Sequence, residues 1–451
     1  MKKLPQEYIE RMKYLLGDEY QLYEKALEQE PVKAFRVNTK KISVENFLKT
    51  DIFSDGQIPY CENGFYLKYE KIGNHPFHHA GMIYVQEPAA MAPAECIDIN
   101  PEWKILDMCA APGGKSTQLK NKLGENGILV SNEIIPSRCK ILTGNIERLG
   151  LENTVTTCMD TSRLSALFPK TFDLIMVDAP CSGEGMFRKD ENAINEWSIE
   201  NVKKCALRQA EILENSVKML KNGGYIIYAT CTFSLEENEM TVDAFLKKHP
   251  DFEITPVKES VIKSTCNGIK FDGCECENIH FARRFYPHKA KGEGQFMAVL
   301  HHKDEIYNNV YTSNKNEKRN KIVTDFLDSV LTEYNPDYVT EYNGNPVYFS
   351  PDFKVDKGVA FAFGVKIGEI KKNYIQPHHQ FFMTLGKNFK RKIELPADSE
   401  EINKYLHGEE IETDCENGWA VVSVNGCTLG GVKVVNGTAK NHYPKGLRTL
   451  R

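Results

Sequence analysis

The 451-residue sequence lacks any run of 18 or more apolar residues, the length that a membrane-spanning helix needs. We expect no secretory signal, because Glu7, Glu10, Arg11 and Lys13 place charges near the start of the sequence and no long apolar segment follows them. No internal repeat or low-complexity tract occurs. These absences predict a cytoplasmic protein that has no membrane partner.

An excess of positive charge, which is usual in nucleic-acid-binding proteins, is missing as well. The formal net charge is −5. Local composition differs from this sum, since residues 426–451 contain five basic residues and no acidic one, and the segment GKNFKRK (386–392) adds four more. Each basic patch is either a solvated cationic surface or a contact for nucleic acid, and the charge pattern alone leaves both open.

Cysteine, by contrast, is abundant, with thirteen residues spread along the chain. An odd number of cysteines without a secretion signal predicts reduced thiols rather than disulfides. Cys266, Cys274 and Cys276 lie close together in sequence, but a clear fourth ligand at zinc-binding spacing is missing. We therefore predict no metal site.

Short apolar segments alternate with longer helical stretches over residues 76–302. This alternation predicts an α/β domain with a Rossmann-like, doubly wound and mostly parallel sheet. Residues 1–75 mix a helical opening with short strands and predict a small α+β region. The polar segment 303–321 is a predicted linker. Beyond it we predict a small α+β module over 322–385 and a β-rich module over 386–451.

The segment DMCAAPGGKS (107–116) joins a predicted strand to a predicted helix. Gly114, Lys115 and Ser116 fit the end of a phosphate-binding P-loop, but Cys109 stands where that loop has its first glycine. The alternative is a Rossmann-like loop, whose backbone N–H groups approach a ligand closely. The missing glycine favours the Rossmann-like interpretation.

Carboxylates end three successive predicted strands after this loop. Glu133 ends GILVSNE, 20 residues after Gly113, which is the spacing of a residue that binds ribose hydroxyls. Asp160 ends TVTTCMD and Asp178 ends FDLIMVD. One such residue alone is usually a helix cap, but the carboxyl ends of parallel strands meet at one crevice. The pattern predicts a ligand site there.

Two cysteines follow the fourth and fifth predicted strands, Cys181 in DAPCSGEGMFRKD and Cys231 in ATCTFSLEENE. Neighbouring parallel strands would place both thiols beside the predicted crevice. Ser234 and Glu237 have the spacing of a capping box, which predicts a helix beginning near Ser234. Cys231 would then precede the positive end of a helix, which lowers a thiol pKa. A packing role for Cys231 stays open at this point.

The segments DMCAAPGGKS, DAPCSGEG and ATCTFSLEENE, in this order and spacing, resemble the S-adenosylmethionine-dependent RNA cytosine-C5 methyltransferases of the NOL/NOP/Sun family. Together they span residues 107–239. The flanking segments FRVNTKK, VQEPAAMAPA and RFYPHKAKGEGQF match as well. The C-terminal GTAKNHYPKGLR is similar to the bacterial type that modifies small-subunit ribosomal RNA. The resemblance implies a class I methyltransferase domain and a PUA-like RNA-binding C-terminal region.

The resemblance also implies catalytic roles. Cys231 would add to C6 of cytosine, Asp178 would hydrogen-bond the ring, and Cys181 would assist release of the product. DNA cytosine methyltransferases use the cysteine of a Pro-Cys pair as nucleophile, so Cys181 is the rival nucleophile. Enzymes that methylate exocyclic amino groups usually carry an N/D-P-P-Y/F motif, whereas Asp178 is followed here by Ala-Pro-Cys.

For the cofactor, S-adenosyl-L-methionine, the resemblance implies a set of binding residues. Glu133 would bind the ribose, Asp160 the adenine edge, and Asp178 would lie at the same pocket. Arg138 would face the ligand, although a surface ion pair explains it equally well. The loop around the methionine part would comprise Cys109, Ala110, Ala111, Pro112, Gly113, Gly114 and Lys115.

The implied partner is RNA, in particular 16S ribosomal RNA, with a target base that leaves its stack. We expect no DNA partner and a monomeric protein. The sequence leaves two alternatives open. One is a transfer RNA 5-methylcytosine methyltransferase, and the other is an RNA-binding ribosome assembly factor whose methyltransferase core is inactive.

Overall fold

The computed structural model describes residues 4–50, 53–68, 72–304 and 320–449, so most of the predicted linker at 303–321 lies outside the described residues. The helices are α1 Gln6–Leu16, α2 Tyr20–Leu27, α3 Val44–Leu48, α4 Pro76–His79, α5 Pro88–Met91, α6 Gly114–Lys122, α7 Pro136–Leu149, α8 Thr161–Leu167, α9 Glu191–Glu196, α10 Ile199–Met219, α11 Glu239–Lys248, α12 Glu259–Ile262, α13 Lys321–Val330, α14 His379–Leu385 and α15 Glu400–His407. The first strands are β1 Ala34–Val37, β2 Ser54–Gln57, β3 Gly64–Leu67, β4 Ile83–Val85, β5 Lys104–Asp107, β6 Ile128–Asn132, β7 Thr154–Thr157, β8 Phe172–Asp178, β9 Leu220–Thr230, β10 Phe252–Thr255, β11 Cys266–Asn267, β12 Arg283–Phe285 and β13 Gln295–His302. The remaining strands are β14 Val339–Tyr342, β15 Asn345–Tyr348, β16 Ala360–Phe363, β17 Val365–Lys366, β18 Gly368–Ile370, β19 Ile375–Pro377, β20 Lys392–Glu394, β21 Ile411–Glu412, β22 Gly418–Val424, β23 Cys427–Val435 and β24 Thr438–Asn441.

The central sheet has the strand order β11-β12-β13-β9-β8-β5-β6-β7-β16, with β10 pairing to β13. Strands β7, β6, β5, β8 and β9 are parallel, and β13 is antiparallel to β9. Helices follow these strands as the sequence predicts, for example α10, which Ser198 caps by accepting a hydrogen bond from Asn201 N at 3.1 Å. The doubly wound sheet confirms the predicted class I methyltransferase fold, but it is mixed rather than mostly parallel, because five of its nine described strand pairings are antiparallel.

The N-terminal region contains a four-stranded sheet of order β2-β3-β1-β4. Because β4 spans Ile83–Val85 and pairs with β1, this sheet extends beyond the boundary expected at residue 75. Helices α1 and α2 instead pack on the central domain, where the Tyr8 ring lies 4.8 Å from the Phe187 ring. The N-terminal region therefore covers one side of the central domain.

The C-terminal half is joined to the rest of the chain by shared cores. Strand β16 pairs antiparallel with β7, so the 322–385 module adds an edge strand to the central sheet. The last module forms a sheet of order β20-β22-β23-β24-β21. Its Val422 and Leu429 share one apolar cluster with Phe35 and Phe77 of the N-terminal region. Among the described residues, no helix combines the length and hydrophobicity that a membrane crossing requires.

Candidate active site

The candidate site lies where the winding of the central sheet reverses. Strand β5 stands between β6 and β8, and the chain crosses from one side of β5 to the other between β7 and β8. Ligands of open α/β sheets bind in the crevice outside the carboxyl ends of the strands at such a switch point. Here the strands end at Asp107 and Asp178, followed by the predicted cofactor loop and the Cys181 loop.

The loop from Cys109 to Gly113 is fixed from outside by helix α7. Arg138 Nη2 donates to Ala111 O at 2.8 Å, and Asn145 Nδ2 donates to Pro112 O at 2.9 Å. Gly113 has φ +112°, and a Cβ there would lie 3.1 Å from a methyl group of Leu142. A larger residue at 113 would strain the backbone, so the start of α6 at Gly114 depends on this glycine.

The predicted strand-end carboxylates have different environments. Glu133 is buried just beyond β6, accepts from Ile135 N at 3.0 Å, and lies 3.3 Å from Arg138 Nη1. Asp160 is exposed and caps α8, accepting from Ser162 N and Arg163 N. The structure thus shows Asp160 in the role of helix cap, while Glu133 carries a buried carboxylate next to the loop.

A lysine lies between two aspartates at the switch point. Lys115 Nζ contacts Asp178 Oδ2 at 2.8 Å, and Ser116 Oγ donates to Asp107 Oδ2 at 2.6 Å. Burial opposes the charge of Lys115, but Asp178 outweighs it and raises the Lys115 pKa. Burial, with Asp178 adding to it, raises the pKa of Asp107 to about 7. Asp107 was not among the predicted site residues, although it too ends a parallel strand.

The two predicted thiols meet, with Cys181 Sγ and Cys231 Sγ 3.2 Å apart. This distance exceeds the roughly 2.05 Å of a disulfide, so the sulfurs are not bonded. Contact with the Cys231 sulfur, together with burial, raises the pKa of the Cys181 thiol well above its usual range. Cys181 therefore retains its proton.

Hydrogen bonds between the two loops hold the cysteines in contact. Gly185 N donates to Cys231 O at 2.9 Å, and the hydroxyls of Ser182 and Thr232 are 2.8 Å apart. Asn238 Nδ2 donates to Thr232 O at 3.0 Å. The last of these bonds lies within the Cys231 loop and fixes its shape. The contact of Ser182 with Thr232 was not predictable from the sequence because it joins residues 50 positions apart.

The helix expected near Ser234 begins five residues later, at Glu239. Ser234 Oγ accepts from Glu237 N at 3.4 Å, but the Glu237 carboxylate does not return to Ser234. It accepts instead from Ser182 N and Gln209 Nε2, both at 2.9 Å. The predicted capping box is therefore wrong, and so is the prediction that a helix N-terminus stabilises the Cys231 thiolate.

Replacing Glu237 with glutamine should change how stability depends on pH. Burial raises the Glu237 pKa from 4.5 to about 7, so its protonated form stabilises the fold below pH 4.5 and this contribution is lost as the pH rises through 7. Glu237→Gln keeps the acceptor without the charge. We expect urea unfolding to show a stability gain over wild type that grows by up to about 3 kcal/mol from pH 4.5 to 8. The same variant at exposed Glu277 should show no such change, and an equal pH response for both would contradict the expectation.

Arg36 of β1 supports the cofactor loop from the N-terminal region. It is buried, donates from Nη2 to Gly114 O at 2.8 Å and to Thr117 Oγ1 at 2.9 Å, and donates from Nε to Gln86 Oε1 at 2.6 Å. These bonds position the first turn of α6. This role of Arg36 was not predictable from the segment FRVNTKK, because the contact joins residues 78 positions apart.

Replacing Arg36 with methionine fills the same space but removes every one of these hydrogen bonds. We expect affinity for S-adenosylhomocysteine, measured by calorimetry, to fall about tenfold or more, a loss of about 1.4 kcal/mol. The matched variant at exposed Arg208 of α10 should bind like wild type. Unchanged affinity in the Arg36 variant would show that the contacts serve only folding.

Family models match three segments of the chain and leave residues 302–391 unmatched. The model described as 16S rRNA methyltransferase RsmB/F matches residues 94–301, that of the N-terminal domain of 16S rRNA methyltransferase RsmF matches 4–88, and that of the methyltransferase RsmF PUA domain matches 392–449. A solved methyltransferase homolog from Pyrococcus horikoshii is 29% identical, covers 66% of this chain and 95% of its own, and has a TM-score of 0.58. NSun6 from the same organism, solved with SFG, is 23% identical over 67% of this chain and 100% of its own, with a TM-score of 0.57, and supports the fold alone.

Similar curated proteins carry the name ribosomal RNA small subunit methyltransferase F. The Aeromonas salmonicida protein is 30% identical over 92% of this chain and 90% of its own length. The Vibrio vulnificus protein is 29% identical over 98% and 97%. Fold and site define a class I RNA methyltransferase that depends on S-adenosylmethionine. The loop from Cys109 to Gly113 and the buried carboxylate of Glu133 fit this cofactor. The chain belongs to the 16S rRNA methyltransferase RsmB/F family.

Proposed function

We propose that this enzyme methylates C5 of a cytosine in 16S ribosomal RNA through a covalent bond between Cys231 and C6. The observation that carries the proposal is the contact of the Cys181 and Cys231 sulfurs beside the Lys115–Asp178 pair at the switch point of the sheet. C5 of cytosine is a weak nucleophile, and addition of a thiolate to C6 makes it enamine-like.

Each of the chain's own groups has a role in this scheme. The Cys231 thiolate forms an S–C6 bond, and the electron pair of the C5–C6 double bond becomes available at C5. Asp178, held in place by Lys115 at 2.8 Å, accepts a hydrogen bond from the amino group of the ring beside N3. S-adenosylmethionine supplies an electrophilic methyl group when bound.

Release requires the loss of the C5 proton. As a base takes this proton, the C5–C6 double bond forms again and the S–C6 bond breaks, which returns the electron pair to Cys231. Cys181 lies 3.2 Å from the leaving sulfur and carries a proton, so it can stabilise the departing thiolate. We assign Cys181 to this step rather than to the initial attack.

The proposed cofactor contacts follow the same geometry. Residues 109–115 surround the methionine part, buried Glu133 binds the ribose hydroxyls, and Arg138 orients both Glu133 and the loop. The remaining two contacts are Asp160 at the adenine edge and Asp178 at the side of the cofactor that carries the methyl group. Asp160 would bind the adenine while it also caps α8.

Methyl incorporation distinguishes the substrates directly. Purified enzyme and labelled S-adenosylmethionine are incubated with 16S ribosomal RNA, small subunits or transfer RNA from cells that lack the gene, and nucleosides are identified by mass spectrometry. We expect 5-methylcytidine in 16S RNA or in the subunit. Label only in transfer RNA would redirect the substrate assignment, and RNA binding without any label would indicate an inactive assembly factor.

A further inference from the structure

A groove of about 380 Å³ separates the N-terminal region from the edge strands of the central sheet. Its lining includes the aromatic residues Tyr60 and Tyr66 and the lysines Lys263, Lys289 and Lys291. None of the described lining residues is acidic. We call this cavity the Tyr60 groove. Lysines interleaved with aromatic rings are the usual components of a site for single-stranded nucleic acid.

The polar groups of the Tyr60 groove are incompletely paired. Tyr60 is 6% exposed, and its hydroxyl has no hydrogen-bond partner among the described residues. The Lys291 ammonium lies 5.2 Å from the centre of the Tyr66 ring. Lys289 contacts Glu19 at 2.7 Å and Lys263 contacts Glu259 at 3.6 Å. Both are exposed ion pairs, which contribute little to the stability of a protein. The groove therefore offers a buried hydroxyl and accessible positive charge.

The Tyr60 groove is connected to the Cys231 loop. Tyr286, which also lines it, stacks on Phe233 with ring centres 5.3 Å apart and planes inclined by 11°. Phe233 follows Cys231 by two residues. Beyond Lys291 the same loop reaches Gly294, whose N–H donates to Gly185 O at 3.4 Å. Residues of the groove and of its loop therefore pack against the loops that carry Cys231 and Cys181.

We propose that the Tyr60 groove binds the RNA next to the target cytosine. The three lysines contact backbone phosphate, a neighbouring base lies against Tyr66, and the Tyr60 hydroxyl binds a polar group of that nucleotide. The proposal rests on the proposed function and deepens it, because it assigns the recognition of flanking nucleotides to this surface. Stacking on tyrosine tolerates any base, so the groove would hold the strand rather than read its sequence.

The test compares two triple variants of equal charge. Lys263→Gln, Lys289→Gln and Lys291→Gln are combined in one, and exposed Lys203, Lys357 and Lys372 are changed to glutamine in the other. Affinity for a single-stranded 16S RNA fragment is measured by fluorescence anisotropy at several salt concentrations. The slope of log affinity against log salt is negative, and each lost phosphate contact reduces its magnitude by about 0.7. The slope of the groove variant should therefore be smaller in magnitude than that of wild type by about 2.

We expect the groove variant to bind RNA about 10- to 100-fold more weakly, to raise the KM for RNA, and to bind S-adenosylhomocysteine like wild type. Tyr66→Leu should weaken RNA binding about tenfold with no change in salt slope, because it removes a stacking platform and no charge. Equal salt slopes for both triple variants would overturn the proposal. If wild type methylates no RNA and the groove variant still loses RNA affinity, the proposed function fails while the groove assignment stands.

Discussion

Cys231→Ala should lower methyl transfer to RNA by about 10⁴-fold or more, because no other group can form the bond to C6 in its place. The neighbouring Cys181 thiol retains its proton, since contact with Cys231 and burial raise its pKa. It is therefore a poor substitute nucleophile. Single-turnover transfer of labelled methyl groups to 16S RNA measures the loss.

Two controls separate loss of chemistry from loss of fold. Cys231 is half-buried, so its truncation should cost only about 1 kcal/mol of stability, and thermal unfolding should still be cooperative. Cys415, a half-buried cysteine of the C-terminal module far along the chain from the catalytic loops, provides a matched variant that should keep full activity. Retention of more than about a tenth of wild-type activity in Cys231→Ala would refute its role as nucleophile.

Cys181→Ala should instead trap the enzyme on its RNA. The variant still forms the S–C6 bond, but the group that lies 3.2 Å from the leaving sulfur is gone. The adduct accumulates when breakdown becomes slower than formation. We expect a protein–RNA species that survives denaturing electrophoresis and amounts to a large fraction of the enzyme in the presence of S-adenosylmethionine.

The double variant supplies the decisive comparison for this prediction. Cys181→Ala combined with Cys231→Ala should give no adduct, since the attacking sulfur is missing. An adduct in Cys231→Ala but not in Cys181→Ala would reverse the two roles and make the Pro-Cys cysteine the nucleophile.

The parallel core was predictable because hydrophobic alternation reports buried strands directly. FDLIMVD and GGYIIYAT lie within β8 and β9, and the thiols after them meet because parallel strands end at one edge. Spacing along the chain therefore placed Cys181 and Cys231 near each other. The contact of Lys115 with Asp178 is a finding of the structure, in which α6 begins directly after the loop.

What the sequence did not reveal depends on partners distant in the chain. Glu237 has the spacing of a capping box, yet it bonds Ser182 and Gln209, and the helix begins at Glu239 instead. A local pattern cannot show that Glu237 bonds to a residue 55 positions away in the chain. Arg36 was missed in the same way. Strand β16 was missed because its pairing with β7 crosses an expected boundary between modules.

The most direct measurement uses RNA that contains 5-fluorocytosine at the target position. Fluorine at C5 cannot leave as a proton does, so the wild-type enzyme should stop as a covalent adduct after methyl transfer. Proteolysis and mass spectrometry then identify the residue that carries the nucleotide. The proposed mechanism predicts the peptide with Cys231. A nucleotide on Cys181, or no covalent bond in an enzyme that methylates normal RNA, would contradict it.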